Sequence, residues 1–223
     1  MRLVLHSYWR SSCSWRVRIG LHLKGAAFDY RAVDLSAGAQ RAPVHRARNP
    51  TGQVPVLEVE ADGATHFLSQ SMAILEWLDE RFPAPPLLPG DALGRARVRA
   101  LAEQVNSGIQ PFQNASVQRW LREEREGLER AWVRHWLSVG LAALEAAVAA
   151  GAGRFCHGDA VTLADLYLVP QLYGARRFGV ELGACPTLLR VEAACRELAA
   201  FRAAEPDAQP DAQPDAPPAA GRS

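Results

Sequence analysis

A change of pattern at a proline-rich segment, residues 83–91, most limits the folds that this chain can adopt. The segment PAPPLLPGD contains four prolines and one glycine, so it cannot continue a helix and is typical of a linker between domains. Before it, strand-like and helical stretches alternate, whereas beyond it the chain is rich in Ala, Leu, Arg and Glu and its patterns are helical. The 223 residues are enough for two domains of moderate size. We therefore expect an α/β domain followed by an all-α domain.

Residues 1–82 have the pattern of the α/β domain. RLVLHSY and FDYRAVDL are strand-like, and the stretch between them, from Ser14 to Lys24, has a mostly helical spacing of apolar residues. Two further strand-like runs flank Asp62-Gly63, a dipeptide typical of an antiparallel hairpin turn. SQSMAILEWLDERF then carries an apolar stripe at helical spacing. The predicted order is βαβ followed by ββα.

Residues 92–204 are predicted to form the all-helical domain. Their apolar spacing indicates helices at 94–107, 128–149, 162–177 and 187–202. GIQPFQNASVQRW, residues 108–120, places a proline after a polar pair and predicts a kink in the first long helix. Thr162 and Asp165 have the spacing of a capping box at a helix start. The tail, residues 205–223, repeats Pro-Asp-Ala three times without a bulky apolar residue, so we predict that it is disordered.

Charge and cysteine content argue against several classes of function. Lys and Arg number 25 against 24 Asp and Glu, a formal net charge of +1, so nothing global indicates nucleic acid or an anionic membrane as a partner. No apolar run approaches the roughly 20 residues of a membrane span, and the start MRLVLHSYW lacks the features of a signal peptide. The four cysteines are widely scattered, which predicts reduced thiols, no metal site and no disulfide framework. From these features alone we expect a cytoplasmic protein with a small, neutral partner.

Three local motifs carry candidate functional residues, and each also has an ordinary structural interpretation. In SSCSWRVRIGL, serines at positions 11 and 12 are typical helix caps, and Cys13 is either a nucleophile or a small half-buried residue. Val54-Pro55 stands at a strand start, where proline indicates a sheet edge. Gln70-Ser71 is typical of a helix entry. The residues alone favour a capping role for the serines and for Gln70-Ser71, and they leave both interpretations of Val54-Pro55 open.

Taken together, SSCSWRVRIGL, NPTGQVPVL, the Gln70-Ser71 pair and TLADLYLVPQ resemble the zeta class of glutathione transferases, from residue 1 to about 204. The resemblance implies a thioredoxin-like glutathione-binding domain, an all-helical substrate domain and a homodimer. It implies glutathione as the cofactor, no metal ion, and a small dicarboxylate-like enone acid as substrate. The implied activity is glutathione-dependent cis-trans isomerisation of maleylacetoacetate in tyrosine and phenylalanine breakdown, or of maleylpyruvate.

The resemblance also implies roles for individual residues. Ser11 would be the principal activator of the glutathione thiol, with Ser12 and Cys13 lining the same turn. Arg10 and Arg177 would bind the substrate carboxylates, whereas Arg176 is less favoured. The implied contacts to glutathione further include a cis Val54–Pro55 bond and the residues Gln40, Gln53, Val54, Gln70, Ser71, Gln110, Asn114 and Ser116.

Three alternatives remain open at this point. The first is a broader glutathione transferase that dehalogenates α-halo acids with the same thiolate. The second is a thiol oxidoreductase that depends on Cys13, and the third is a binding or scaffold module with an inactive cleft. Arg16 and Arg18 on the first helix are ambiguous, and Arg18 is a candidate for a structural ion pair.

Overall fold

The computed structural model describes residues 1–213, and the predicted disorder of residues 214–223 lies outside the described part of the chain. Four strands form one sheet in the order β2-β1-β3-β4. They are β1 (Arg2–Ser7), β2 (Asp29–Ala32), β3 (Val56–Ala61) and β4 (Ala64–Ser69). Strand β1 runs parallel to β2 and antiparallel to β3, which pairs antiparallel with β4. This mixed sheet is the α/β domain that the sequence predicts.

Nine α-helices lie within residues 1–213. They are α1 (Ser12–Leu23), α2 (Pro43–Arg46), α3 (Ser71–Arg81), α4 (Ala92–Asn106), α5 (Ala115–Glu124), α6 (Leu128–Ala149), α7 (Leu163–Arg177), α8 (Pro186–Arg196) and α9 (Ala199–Ala203). No strand is found beyond β4 in the described residues, so the predicted order of an α/β and then an all-α region is confirmed. None of the described helices has the length and apolar character needed to cross a bilayer.

The hairpin between β3 and β4 forms at the predicted turn. Ala61 pairs with Ala64, which leaves Asp62 and Gly63 as a two-residue connection. Both residues have positive φ, 52° and 77°, as the favoured two-residue hairpin turn requires. Asp tolerates this backbone region better than most residues and Gly adopts it freely, so the dipeptide determines the turn.

Helix α1 is buried on all sides and joins the two domains. Its residues 14–21 are all buried, and it packs against α3 of the first domain and α7 of the second. The approach to α3 is close, since a Cβ added at Gly20 would lie 2.3 Å from Leu75 Cδ2. Because α1 is fixed between the domains, its N-terminus has a defined position at the boundary between them.

The segment 108–120 differs from the predicted kink. Helix α4 ends at Asn106, a short 3-10 helix follows at Gln110–Gln113, and α5 starts anew after Asn114. The Asn114 side chain accepts a hydrogen bond from the Ser116 N–H at 3.1 Å and so caps α5. The prediction of a kink is wrong, because α4 already stops at Asn106, Pro111 lies in the 3-10 helix and Asn114 caps a separate helix.

The prediction of a disordered tail is wrong for residues 205–213. A 3-10 helix forms at Pro206–Ala208, and the buried Gln209 side chain donates to the Ala203 and Glu205 carbonyls at 3.0 and 2.8 Å. Further along, Asp211 bonds to the first domain. The composition of this segment lacks large apolar groups, and polar bonds hold it in place instead.

Candidate active site

A cleft of about 780 Å³ lies between the two domains at the N-terminus of α1. The structure brings every favoured site residue of the sequence prediction to its wall. These residues are Arg10, Ser11, Ser12, Cys13, Gln40, Gln53, Val54, Gln70, Ser71, Gln110, Asn114, Ser116 and Arg177. They come from both domains and from widely separated parts of the chain, so a shared wall is not a trivial result of sequence proximity.

Ser11 is the N-cap of α1. Its Oγ accepts a hydrogen bond from the Ser14 N–H at 3.3 Å, and its own N–H donates to the Tyr8 carbonyl at 3.0 Å. A serine hydroxyl has two acceptor lone pairs and one O–H donor, so capping leaves the donor available. Ser11 can therefore cap α1 and donate a hydrogen bond to a ligand in the same conformation.

Ser12 and Cys13 form the first turn of α1, which contains no acidic residue. The partial positive charge of a helix N-terminus favours an anion at this position. Cys13 is half-buried, whereas the other three cysteines, Cys156, Cys185 and Cys195, are buried. The described residues therefore place no second exposed thiol beside Cys13, as a dithiol redox site would need.

The segment from Gln53 to Pro55 forms another wall of the cleft. The Val54–Pro55 peptide bond is cis, as the resemblance implies. The Gln53 carbonyl accepts hydrogen bonds from His45 Nε2 and Asn49 Nδ2, both at 3.0 Å. The sequence did not single out His45 and Asn49 as positioning residues, although both are almost fully buried. Their bonds hold the backbone before Val54 against the cleft.

Gln70 and Ser71 mark the start of α3 on the opposite wall. Gln70 has φ of 70°, a backbone region that residues other than glycine rarely adopt. Such strained residues concentrate at ligand-binding sites, where the surrounding structure holds them. Ser71 is buried at the first position of α3, and its Oγ lies 3.2 Å from the Tyr167 hydroxyl.

A buried arginine lies behind Ser71. Arg16 has no exposed surface, and its Nη1 donates to Ser71 Oγ at 3.2 Å and to Asn106 Oδ1 at 2.8 Å. Its guanidinium lies 4.1 Å from the centroid of the Tyr167 ring. Burial raises the pKa of Tyr167 to about 12, so this phenol stays protonated beside the guanidinium. The signal in the sequence was a charged residue within an apolar helical run.

The two adjacent arginines at the end of α7 have different partners. Arg176 forms a two-bond ion pair with Glu192 of α8, with one of the bonds at 2.6 Å. Arg177 lines the cleft, and its guanidinium lies 5.9 Å from the Phe178 ring centroid. Arg177 therefore lies where a ligand in the cleft can reach it, whereas Arg176 is not part of the described cleft wall.

The cleft is strongly biased towards positive charge. Its wall in the described residues contains five arginines and neither Asp nor Glu. Three of these arginines, at positions 41, 46 and 119, were not among the sequence-predicted site residues. In a chain with a net charge of only +1, this local excess indicates a ligand with several negative charges.

Comparison with known proteins identifies the family that this chain resembles. Residues 10–81 match the glutathione S-transferase N-terminal domain family. A zeta-class glutathione S-transferase from Euphorbia esula is 44% identical over 208 residues, 92% of this chain and 91% of the relative. A maleylpyruvate isomerase from a Ralstonia species is 46% identical over 207 residues, 91% of this chain and 96% of the relative.

A crystal structure of maleylacetoacetate isomerase from Anaeromyxobacter dehalogenans 2CP-1, with glutathione bound in its active site, has a TM-score of 0.90 and 66% identity. The match covers 95% of this chain and 98% of that one. Another structure of that isomerase holds dicarboxyethyl glutathione and citrate. The fold and the matched domain define the glutathione transferase class. Within it, the chain belongs to the zeta class, as its sequence motifs indicate.

Proposed function

We propose that this protein is a glutathione-dependent cis-trans isomerase that converts maleylacetoacetate to fumarylacetoacetate. The observation that carries the proposal is the acid-free wall with five arginines around the N-cap Ser11, within the described residues. Glutathione and a maleyl keto acid together bring several carboxylates and a thiolate, which this wall can bind. The A. dehalogenans relative, which binds dicarboxyethyl glutathione, supports the same ligand class.

The residues of the cleft fit glutathione, and each part of the wall has a proposed role. The N-terminus of α3, with Gln70 and Ser71, presents backbone N–H groups and a positive dipole end to the γ-glutamyl carboxylate. The Val54 backbone would pair with the central peptide like an added strand. The remaining proposed contacts are Gln40, Gln53, Gln110, Asn114 and Ser116.

When bound, glutathione would supply a thiolate that adds to the carbon β to the enone carbonyl, so that rotation about the former double bond becomes possible. The thiolate would leave again as the double bond re-forms in the trans geometry. Ser11 donates its free O–H to the sulfur, and the α1 N-terminus lowers the thiol pKa. Arg10 and Arg177 hold the substrate carboxylates, while donors at the helix start stabilise the negative charge that develops on the carbonyl oxygen. Ser12 and Cys13 line this turn without acting as nucleophiles.

Maleylpyruvate is the second candidate substrate, because a maleylpyruvate isomerase is 46% identical over 91% of the chain. Both compounds present the same cis enone acid to the cleft and differ at the far end. The test is to follow fumarylacetoacetate and fumarylpyruvate formation side by side at equal enzyme and glutathione concentrations. A higher kcat/KM for maleylacetoacetate supports the proposal, and a higher value for maleylpyruvate favours the second candidate.

We further propose that the protein acts as a homodimer in the cytoplasm, in tyrosine and phenylalanine breakdown. Exposed apolar side chains on the first domain, Val44 of α2 and Phe67 of the edge strand β4, support self-association. Light scattering coupled to gel filtration should give twice the chain mass of 24.3 kDa. A mass equal to that of one chain would reject the dimer.

A further inference from the structure

We propose that residues 204–211, the C-terminal clip, position the loop that leads into Ser11, with Asp211 as the positioning residue. The entry loop is residues 8–10, between β1 and the N-cap of α1. The inference rests on the proposed function, since it concerns the same thiol-binding turn. It assigns that turn a partner far along the chain, in a segment whose composition had predicted disorder.

Asp211 holds the entry loop from its outer side. Its Oδ2 accepts a hydrogen bond from the Trp9 N–H at 3.1 Å, and its Oδ1 accepts one from the Tyr30 hydroxyl at 2.6 Å. Tyr30 belongs to β2, the strand at the edge of the sheet. One carboxylate therefore ties the main chain of the entry loop to a fixed element. Hydrogen bonds to a charged acceptor are among the stronger ones in proteins.

Arg18 holds the same loop from the inner side. This residue of α1 has no exposed surface, and its Nη2 donates to the Trp9 carbonyl at 2.9 Å. Its Nη1 donates to Ser7 Oγ at 3.2 Å, and its Nε donates to the Ala204 carbonyl at 3.0 Å. Arg18 thus bonds to the clip and to the loop at once, through carbonyl and hydroxyl acceptors. The N–H and the C=O of Trp9 are both fixed.

The fixed loop leads directly to the proposed chemical groups. Ser11 donates its N–H to the Tyr8 carbonyl, which closes the turn, and the Arg10 guanidinium lies 5.0 Å from the Trp9 ring centroid. If Trp9 moves, the side chains of Arg10 and Ser11 move with it. A displacement of about 1 Å at a reacting centre can reduce a rate by about a hundredfold. By contrast, Val54, Gln70 and Ser71 lie on other elements and would still bind glutathione.

The Pro-Asp-Ala repeat supplies a matched control. Asp207 occupies the same place in the preceding repeat and is exposed, whereas Asp211 reaches the entry loop. The register is fixed by Gln209, which is buried and bonds to the Ala203 and Glu205 carbonyls. Two aspartates in nearly identical sequence contexts therefore have different surroundings. Substitutions at the two positions therefore separate the effect of losing a negative charge in the clip from the effect of losing the hydrogen bonds of Asp211.

The test compares Asp211→Ala, Asp211→Asn and Asp207→Ala in the full chain. Asp211→Ala should lower kcat/KM for maleylacetone by about tenfold and raise the pKa of the bound glutathione thiol, with the glutathione Kd changed by less than about twofold. Asp211→Asn should retain most of the activity, because its amide can accept from Trp9 and donate to Tyr30. Asp207→Ala should match the unaltered protein.

The proposal is overturned if Asp211→Ala leaves both kcat/KM and the thiol pKa unchanged, or if Asp207→Ala lowers kcat/KM and raises the thiol pKa to the same extent. If Asp211→Ala does not fold, Tyr30→Phe removes one of the two bonds to Asp211. A smaller loss in that variant supports the clip, and no loss rejects it. The thiol titration, followed by thiolate absorbance, needs only glutathione. A shifted thiol pKa without isomerase activity in any variant would support the clip and reject the proposed function.

Discussion

Ser11 accepts a capping bond and keeps its hydroxyl donor free, and the first prediction for a single residue concerns this donor. Ser11→Ala should reduce kcat by about tenfold or more, because the glutathione thiolate loses its hydrogen bond. Cys13→Ala should act mainly on KM, since Cys13 only lines the turn. Steady-state kinetics of both variants with maleylacetone measure this difference. Equal losses of kcat in the two variants would contradict the roles assigned to Ser11 and Cys13.

Arg177 and Arg176 provide a second residue-scale comparison on one helix end. Arg177→Ala should raise KM for the keto acid by about tenfold or more, because a charge-assisted bond to a carboxylate is lost. Arg176→Ala should leave KM near its original value and lower the melting temperature, because the buried Glu192 loses its two hydrogen bonds to Arg176 and keeps only Arg196, at 3.7 Å. A KM increase confined to Arg176→Ala would show that the substrate contact is assigned to the wrong arginine.

At the scale of elements, the start of α7 depends on one buried carboxylate. Asp165 Oδ2 accepts from the Thr162 N–H and hydroxyl at 2.7 and 3.0 Å, and Oδ1 accepts from the Cys156 N–H at 2.8 Å. Asp165→Ala should lower the free energy of unfolding by about 2–3 kcal/mol, since three buried donors lose their acceptor. Denaturant titration measures the loss. Unchanged stability would mean that water replaces the carboxylate.

The accuracy of sequence prediction also varied among elements, for physical reasons. The β3–β4 hairpin was predictable because Asp62-Gly63 determines its own turn. Helix α5 was missed because its residues are mostly polar and only Leu121 is buried. The clip was missed because its order comes from partners such as Trp9, 202 positions away from Asp211. Prediction from neighbouring residues finds short-range bonds and cannot identify partners so far away in the sequence.

At the scale of the whole molecule, the cleft exists because α1 is shared by both domains. The motifs in the sequence located residues such as Ser11 and Gln70, each from its immediate neighbours. They did not show that five arginines from distant segments meet on a wall that lacks acidic residues in the described part of the chain. This grouping of arginines depends on the tertiary fold, and it supplies the positive charge that would bind the carboxylates of the proposed substrate.

The central claim is that the nucleophile comes from bound glutathione and not from Cys13. It is tested by the initial rate of maleylacetone isomerisation, followed as loss of the cis enone absorbance, at increasing glutathione concentrations. The unaltered protein and Cys13→Ala should both show saturable dependence on glutathione and no turnover above the uncatalysed rate without it. Turnover by the unaltered protein that is unchanged when glutathione is omitted would contradict the claim.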